Sequence, residues 1–250
     1  MKKVLLTILA LVIVIPLSVL PAFGANSKYS IDDMNMTIEV PEDFATLTRD
    51  VKETDPNIKI FGYNTAGEVK KMLKSYNAYI NTSPKEGGYG ILVTMAENKN
   101  SKDFFDLNLL NKNEINKLVG SAMKSKIEDI KYKDFEIYQH KQAKFIVFNG
   151  KIEDSKATSY VTQYFTIYNG QSININLYSY NEPATKEIKQ VHKNIVDSIN
   201  FTKKINRPFS LLSPTGKTYI DNTIVCAAIV AIIAIIMGIT KSKNKNKTRK

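Results

Sequence analysis

The stretch from Thr158 to Tyr180 reads TSYVTQYFTIYNGQSININLYSY and predicts a long β-hairpin. Residues 158–168 and 171–180 are rich in β-branched and aromatic side chains, which favour strands. Asn169-Gly170 separates the two runs, and this dipeptide is typical of a two-residue hairpin turn because both residues tolerate positive φ. Strands joined by so short a turn are antiparallel, so the stretch predicts an antiparallel sheet.

The hairpin assigns its side chains to two faces, because Tyr168 must face Gln171 across a two-residue turn. One face carries the more apolar set and is predicted to be core: Thr162, Tyr164, Thr166, Ile173, Ile175 and Leu177. The other face mixes amides with aromatic rings and is the candidate binding face: Gln163, Phe165, Asn174, Asn176 and Tyr178. Amides and rings together can stay hydrated and still bind a partner. The alternative is that helices cover both faces.

Further strands and helices surround this hairpin in the sequence. Strand patterns cover 34–40, 44–49, 79–82, 89–96, 135–140 and 143–149. Helices are predicted from a capping box at Thr65 and Glu68, from a second at Asn111 and Glu114, and from an apolar stripe after Pro183. The order ββ-α-ββ-α-ββ-ββ-α predicts an α+β domain in which helices cover an antiparallel β-sheet.

The segment Thr223–Thr240 reads TIVCAAIVAIIAIIMGIT and predicts a transmembrane helix. Six of the ten residues that follow are basic and none is acidic, which places residues 241–250 in the cytoplasm and the preceding domain outside. The alternative is a buried helix of a soluble protein, although such a helix is rarely apolar on every side. The predicted protein is therefore a single-pass protein of the cell membrane.

The N-terminus resembles an export signal. Lys2 and Lys3 precede the apolar run Val4–Leu20, and Ala22-Phe23-Gly24 predicts cleavage after Gly24. The alternative is an uncleaved anchor, which also leaves the domain outside. We therefore expect a signal peptide over 1–24, an extracellular domain over 25–203, a linker over 204–222, a transmembrane helix over 223–240 and a basic tail over 241–250.

The linker also contains Leu212-Ser213-Pro214-Thr215-Gly216, which is similar to a sortase signal. Its order departs from that signal, because proline does not follow Leu212 and no residue separates Pro214 from Thr215. A plain turn in the linker is the other interpretation, and the sequence favours it.

The charge balance reflects the predicted topology. The chain has 35 Lys and Arg against 24 Asp and Glu, for a net charge of +11. Without Lys2, Lys3 and the six basic residues of the tail, 27 basic residues remain against 24 acidic ones. No basic face for nucleic acid is therefore predicted. The one cysteine, Cys226, lies in the predicted span, so the domain has no disulfide and suits a Gram-positive bacterium.

The sequence offers little to a catalytic site, a metal or a cofactor. Its two histidines, His140 and His192, lack the neighbours that a metal site requires. It has no Gly-x-Ser-x-Gly elbow and no phosphate-binding glycine loop. We therefore expect no enzyme and no cofactor, and a binding or structural module that meets an extracellular or cell-envelope partner. The alternative is a membrane-tethered hydrolase with an unrecognised site.

Two short motifs resemble the PsbP-like fold: IEVPEDF at 38–44 and NIVDSINF at 194–201. With the long hairpin between them, the resemblance spans about Met34 to Phe201. It implies an α/β/α sandwich and suggests an uncharacterised family of exported or membrane-anchored Gram-positive, clostridial-type proteins. These motifs describe architecture, so the resemblance implies no functional residue.

Overall fold

Ten strands and five helices make up the computed structural model, which describes residues 25–97, 99–124, 130–154 and 157–206. The predicted signal peptide, transmembrane helix and basic tail lie outside these residues, as does the linker after residue 206. None of the helices in the described ranges has the length and apolar character needed to cross a membrane.

The strands are β1 Asn26–Ile31, β2 Met36–Pro41, β3 Phe44–Thr48, β4 Ala78–Pro84, β5 Tyr89–Ala96, β6 Ile130–Gln139, β7 Lys144–Asp154, β8 Ala157–Tyr168, β9 Gln171–Tyr180 and β10 Asn200–Phe201. The helices are α1 Asn57–Ile60, α2 Ala66–Ser75, α3 Lys99–Phe104, α4 Lys112–Lys124 and α5 Lys186–Asp197. Short 3₁₀ turns cover Asp32–Met34 and Leu107–Leu109.

A seven-stranded antiparallel sheet forms the centre, in the order β3-β4-β5-β9-β8-β7-β6. The β8–β9 hairpin has the predicted register, with Tyr168 opposite Gln171. Asn169 and Gly170 take φ values of 53° and 78°, as the turn requires. The antiparallel sheet expected from the sequence is confirmed.

A second, three-stranded sheet has the order β1-β2-β10 and was not predicted. The strands predicted at 34–40 and 44–49 follow each other in the sequence but do not pair with each other. The chain turns at Pro41-Glu42-Asp43, but β2 pairs with β1 and β10 while β3 pairs with β4 in the large sheet. The turn therefore carries the chain from one layer of the domain to the other.

Two hydrophobic cores lie on the two faces of the large sheet. On one face, Val69 and Leu73 of α2 pack in a cluster with Ile115 and Leu118 of α4 and with Phe165 of the sheet. The other core joins the small sheet and α5 to the opposite face, through Met36, Ile38, Ile175, Ile195 and Phe201 among others. The sheet thus lies between two covering layers, one helical and one mixed.

Side-chain caps begin the helices where the sequence predicts them. Thr65 Oγ1 accepts the amide of Glu68 at 3.1 Å. Asn111 and Glu114 form a reciprocal box, with bonds of 3.1 Å and 2.8 Å. The last helix begins at Lys186, where Thr185 is the N-cap. Each cap satisfies an amide that the first helical turn leaves without a partner.

Candidate functional site

The candidate binding face is buried, so the prediction that this face is exposed is wrong. At most 1 % of Gln163, Phe165, Asn174, Asn176 and Tyr178 is exposed. Their pairing across the hairpin is as predicted, but the layer that contains α2 and α4 covers them. The alternative interpretation, that helices cover the hairpin, therefore holds for this face.

Three of these buried residues, Gln163, Asn174 and Tyr178, form side-chain hydrogen bonds, whereas neither side-chain amide atom of Asn176 has a partner among the described residues. Gln163 Nε2 donates to Asn174 Oδ1 at 2.5 Å, and Gln163 Oε1 accepts from the Tyr132 hydroxyl at 3.0 Å. The Tyr178 hydroxyl donates to Asn81 Oδ1 at 3.0 Å. Polar groups buried in this way stabilise the fold only when they are paired, so these bonds serve the interior.

A groove opens on the other face of the large sheet, between α5 and strands β6, β7 and β8. Its volume is about 250 Å³. We call it the α5 groove and define it by its lining residues: Glu136, Val147, Asn149, Thr162, Tyr164, Lys186, Lys189, Gln190 and Lys193. The predicted core face of β8 is therefore covered only in part, because Thr162 and Tyr164 lie in this groove.

Three lysines of α5 form one wall. Lys186, Lys189 and Lys193 are spaced at i, i+3 and i+7, which places them on one side of the helix. Lys186 and Lys189 are exposed, and Lys193 is half-buried. The wall is therefore cationic along about 10 Å of helix.

Lys193 is held at one end of the groove by two partners. Its Nζ lies 2.5 Å from Asp197 Oδ2 and 3.1 Å from the Tyr138 hydroxyl. The Tyr138 hydroxyl also bonds to Asp197 Oδ1. The bond to Asp197, followed by that to Tyr138, raises the pKa of Lys193. This network joins α5 to β6 and closes that end of the groove.

Tyr164 and His192 lie at the base of the groove and behind it. The Tyr164 ring meets the His192 ring edge-on at 5.0 Å. Burial, followed by the nearby Glu136 carboxylate, raises the pKa of Tyr164 to about 12. His192 is fully buried with Nε2 3.2 Å from the Ile175 carbonyl, and burial lowers its pKa to about 3. His192 is therefore a neutral core residue and does not reach a ligand in the groove.

The wall opposite the lysines is formed by the large sheet. Glu136 lies on the edge strand β6, while Asn149 and Thr162 lie on β7 and β8. The Thr162 hydroxyl donates to Asn149 Oδ1 at 3.0 Å, and Asn149 Nδ2 donates to Asp134 Oδ1 at 2.7 Å. This side is neutral and polar near its centre and acidic at its edge.

Catalytic chemistry has little support in the part of the chain that the structure describes. No group of three or more His, Cys, Asp or Glu side chains there is arranged to hold a metal ion. His140 is also buried, and burial lowers its pKa. Its Nδ1 accepts the backbone amide of Gln142 at 3.2 Å, which fixes the ring in the β6–β7 turn.

The α5 groove could have been inferred only in part from the sequence. The spacing of Lys186, Lys189 and Lys193 was visible as a cationic stripe opposite the apolar one. The sequence did not show that this stripe borders an open part of the sheet. Residues of β6, β7 and β8 share this groove with α5 because of tertiary packing, which local sequence patterns do not encode.

Comparisons with known proteins bear on the fold alone. Neither a protein-family model nor a curated protein matches this chain. Among solved structures, cyanobacterial PsbP (CyanoP) of Synechocystis sp. PCC 6803 is similar with a TM-score of 0.40 and 14 % identity, over 74 % of this chain and 98 % of that one. A protein of Bacteroides thetaiotaomicron is similar with a TM-score of 0.41 and 5 % identity, over 71 % of this chain and 48 % of that one. The chain thus spans about half of the Bacteroides protein.

The cyanobacterial protein bears the name of the fold that the two sequence motifs resemble. The antiparallel sheet and its helices are observed directly in this chain. The likeness is distant, and no ligand, partner or residue role is transferred from it.

Proposed function

We propose that this chain is a single-pass membrane protein whose extracellular domain binds a cell-envelope or extracellular partner through the α5 groove. The observation that carries the proposal is the groove itself, a concave surface of about 250 Å³ with charged walls and a tyrosine at its base. Binding sites are typically concave, with a few placed polar groups among apolar ones.

The sequence supports the membrane part of the proposal. The apolar segment 223–240 precedes a basic tail, and an export signal precedes the domain. The buried residues of the two hydrophobic cores lie within residues 31–201, so the described domain has its own interior. We propose a host cell of Gram-positive type, because the domain contains no cysteine.

The hydrolase alternative gains no observation from the described residues. A serine nucleophile activated by histidine needs that histidine to be accessible as a base. His140 and His192 are both buried and have lowered pKa values. We therefore propose a binding module and no enzyme.

Blocking the groove tests this function. Gln190 is exposed on α5 and lines the groove, so Gln190→Trp should fill it without entering a core. Lys71 is exposed on α2 in the opposite layer, and Lys71→Trp is the matched control. Chemical crosslinking on intact cells that express full-length protein should capture a partner with the wild type and Lys71→Trp, and lose it with Gln190→Trp. Equal capture by all three proteins would refute the groove as the binding surface.

A further inference from the structure

The Lys193–Tyr138 contact fixes the position of α5 relative to β6. From this contact into the groove, Lys189 lies one helical turn away, at about 6 Å. Glu136 lies two strand residues from Tyr138, at about 7 Å. Both residues line the groove, Lys189 from α5 and Glu136 from β6.

The two walls carry opposite charges that do not pair directly. Within the described ranges, neither Lys186 nor Lys189 forms an ion pair with Glu136, although all three residues line the groove. All three side chains are exposed at its rim. Between Glu136 and the lysines the lining is neutral and includes Thr162, Asn149 and the protonated Tyr164. A molecule in this groove thus meets cations on one side and a carboxylate on the other.

This charge arrangement limits the class of ligand. A purely anionic molecule would bind the lysines but face the carboxylate of Glu136. A purely cationic molecule would bind Glu136 but face the lysines. Opposite charges across an interface give specificity, and like charges penalise the wrong partner.

We propose that the α5 groove binds a short zwitterionic ligand, with its anionic group against Lys186 and Lys189 and its cationic group against Glu136. The inference rests on the proposed function, which assigns binding to this groove. A short peptide with free ends carries both of these charges in one small molecule.

Three small peptides separate the charge requirements. Triglycine carries both charges at neutral pH, N-acetyl-triglycine carries only the carboxylate, and triglycinamide carries only the ammonium group. Saturation-transfer-difference NMR measures weak binding of each to full-length protein in detergent micelles. Triglycine should bind about two- to fivefold more tightly than either blocked peptide, the range expected for exposed ion pairs.

Variants that remove a charge from one wall show which wall causes each peptide preference. Lys186→Gln and Lys189→Gln together should remove the preference of triglycine over triglycinamide, and Glu136→Gln should remove its preference over N-acetyl-triglycine. Lys71→Gln, on the opposite layer, should leave both preferences intact. Equal binding of the three peptides, or preferences that survive both groove variants, would overturn the zwitterion proposal.

Gln190→Trp separates this failure from failure of the proposed function. If Gln190→Trp abolishes partner capture while the wild type binds the three peptides equally, the groove is the binding surface and only the ligand class is wrong. If triglycine keeps its preference in Gln190→Trp, the peptide binds elsewhere and the zwitterion proposal is also wrong.

Discussion

Tyr178 on β9 lies directly over Gly90 on β5, its partner in the register of the large sheet. A Cβ atom at residue 90 would lie 2.6 Å from Cε2 of that ring, closer than real Cβ contacts allow. The space over Gly90 lets the ring reach across β5 and its hydroxyl donate to Asn81 on β4. A glycine in one strand thus positions a tyrosine that joins three strands.

Gly90→Ala should destabilise the domain by about 1–3 kcal/mol, because the methyl group overpacks the core and displaces Tyr178. Urea unfolding followed by circular dichroism measures the change. Gly120 in α4 is the matched control, since a Cβ there meets no atom within 4 Å. Gly120→Ala should stabilise by about 0.5–1 kcal/mol. Equal effects of the two substitutions would contradict the packing described for Gly90.

His192 should make the domain less stable in mild acid. In the unfolded chain its pKa is near the ordinary 6.5, whereas burial lowers the folded pKa to about 3. Below pH 6.5 the unfolded chain therefore binds a proton that the folded chain excludes. The free energy of unfolding should be independent of this group above pH 6.5 and fall by up to about 1.4 kcal/mol per pH unit below it.

Urea unfolding at pH 7.5, 6.5 and 5.5 checks this dependence. His192→Gln should make the free energy of unfolding depend less steeply on pH between 6.5 and 5.5, whatever its effect on stability at pH 7.5. The pH dependence of His140→Gln is the comparison, because burial also lowers the pKa of His140. A slope unchanged by His192→Gln would show that His192 is not the group responsible.

Asn169 should hold the chain where it leaves the domain. Its Nδ2 donates to the Lys203 carbonyl at 2.9 Å, and its Oδ1 accepts the Ile205 amide at 2.9 Å. Asn169→Gly keeps the positive φ of the turn but removes both bonds, so trypsin should cut after Lys203 and Lys204 faster than in the wild type. Asn169→Asp keeps the acceptor and should give an intermediate rate. Identical cleavage of all three proteins would contradict this contact.

The contacts of Asn169 continue past residue 203, the end that the sequence predicts for the domain, as far as Ile205. A fragment of residues 25–206 should unfold cooperatively without lipid, because both cores lie within it. A fragment that ends at 203 should be less stable by about 1 kcal/mol through the lost bond to Ile205. A molten 25–206 fragment would refute an autonomous domain.

Local sequence signals predicted the parts of the fold that local interactions determine. Asn169-Gly170 sets the hairpin register through backbone conformation, and the Asn111–Glu114 box begins α4 through its own hydrogen bonds. Pairing between distant segments was less predictable. β1 and β10 both pair with β2, although β10 is separated from β2 by most of the described chain and no turn links the two.

The candidate site shows the same limit. The faces of Gln163 and Tyr164 were separated correctly, because side chains alternate along a strand. Which face stays open depends on where α4 and α5 lie, and this follows from packing across the whole domain. The sequence therefore left open whether helices cover the amide-rich face; the structure covers it, and the open surface lies beside α5.

Site-specific photocrosslinking tests the central claim, that the α5 groove is the binding surface, most directly. A photoreactive amino acid replaces Lys189 in the groove or Lys71 on the opposite layer of the full-length protein, and intact cells are irradiated. We predict a discrete crosslinked product from position 189 and none from position 71, with the product lost when Gln190→Trp is added. Products from position 71 alone, or a position 189 product unaffected by Gln190→Trp, would contradict the account.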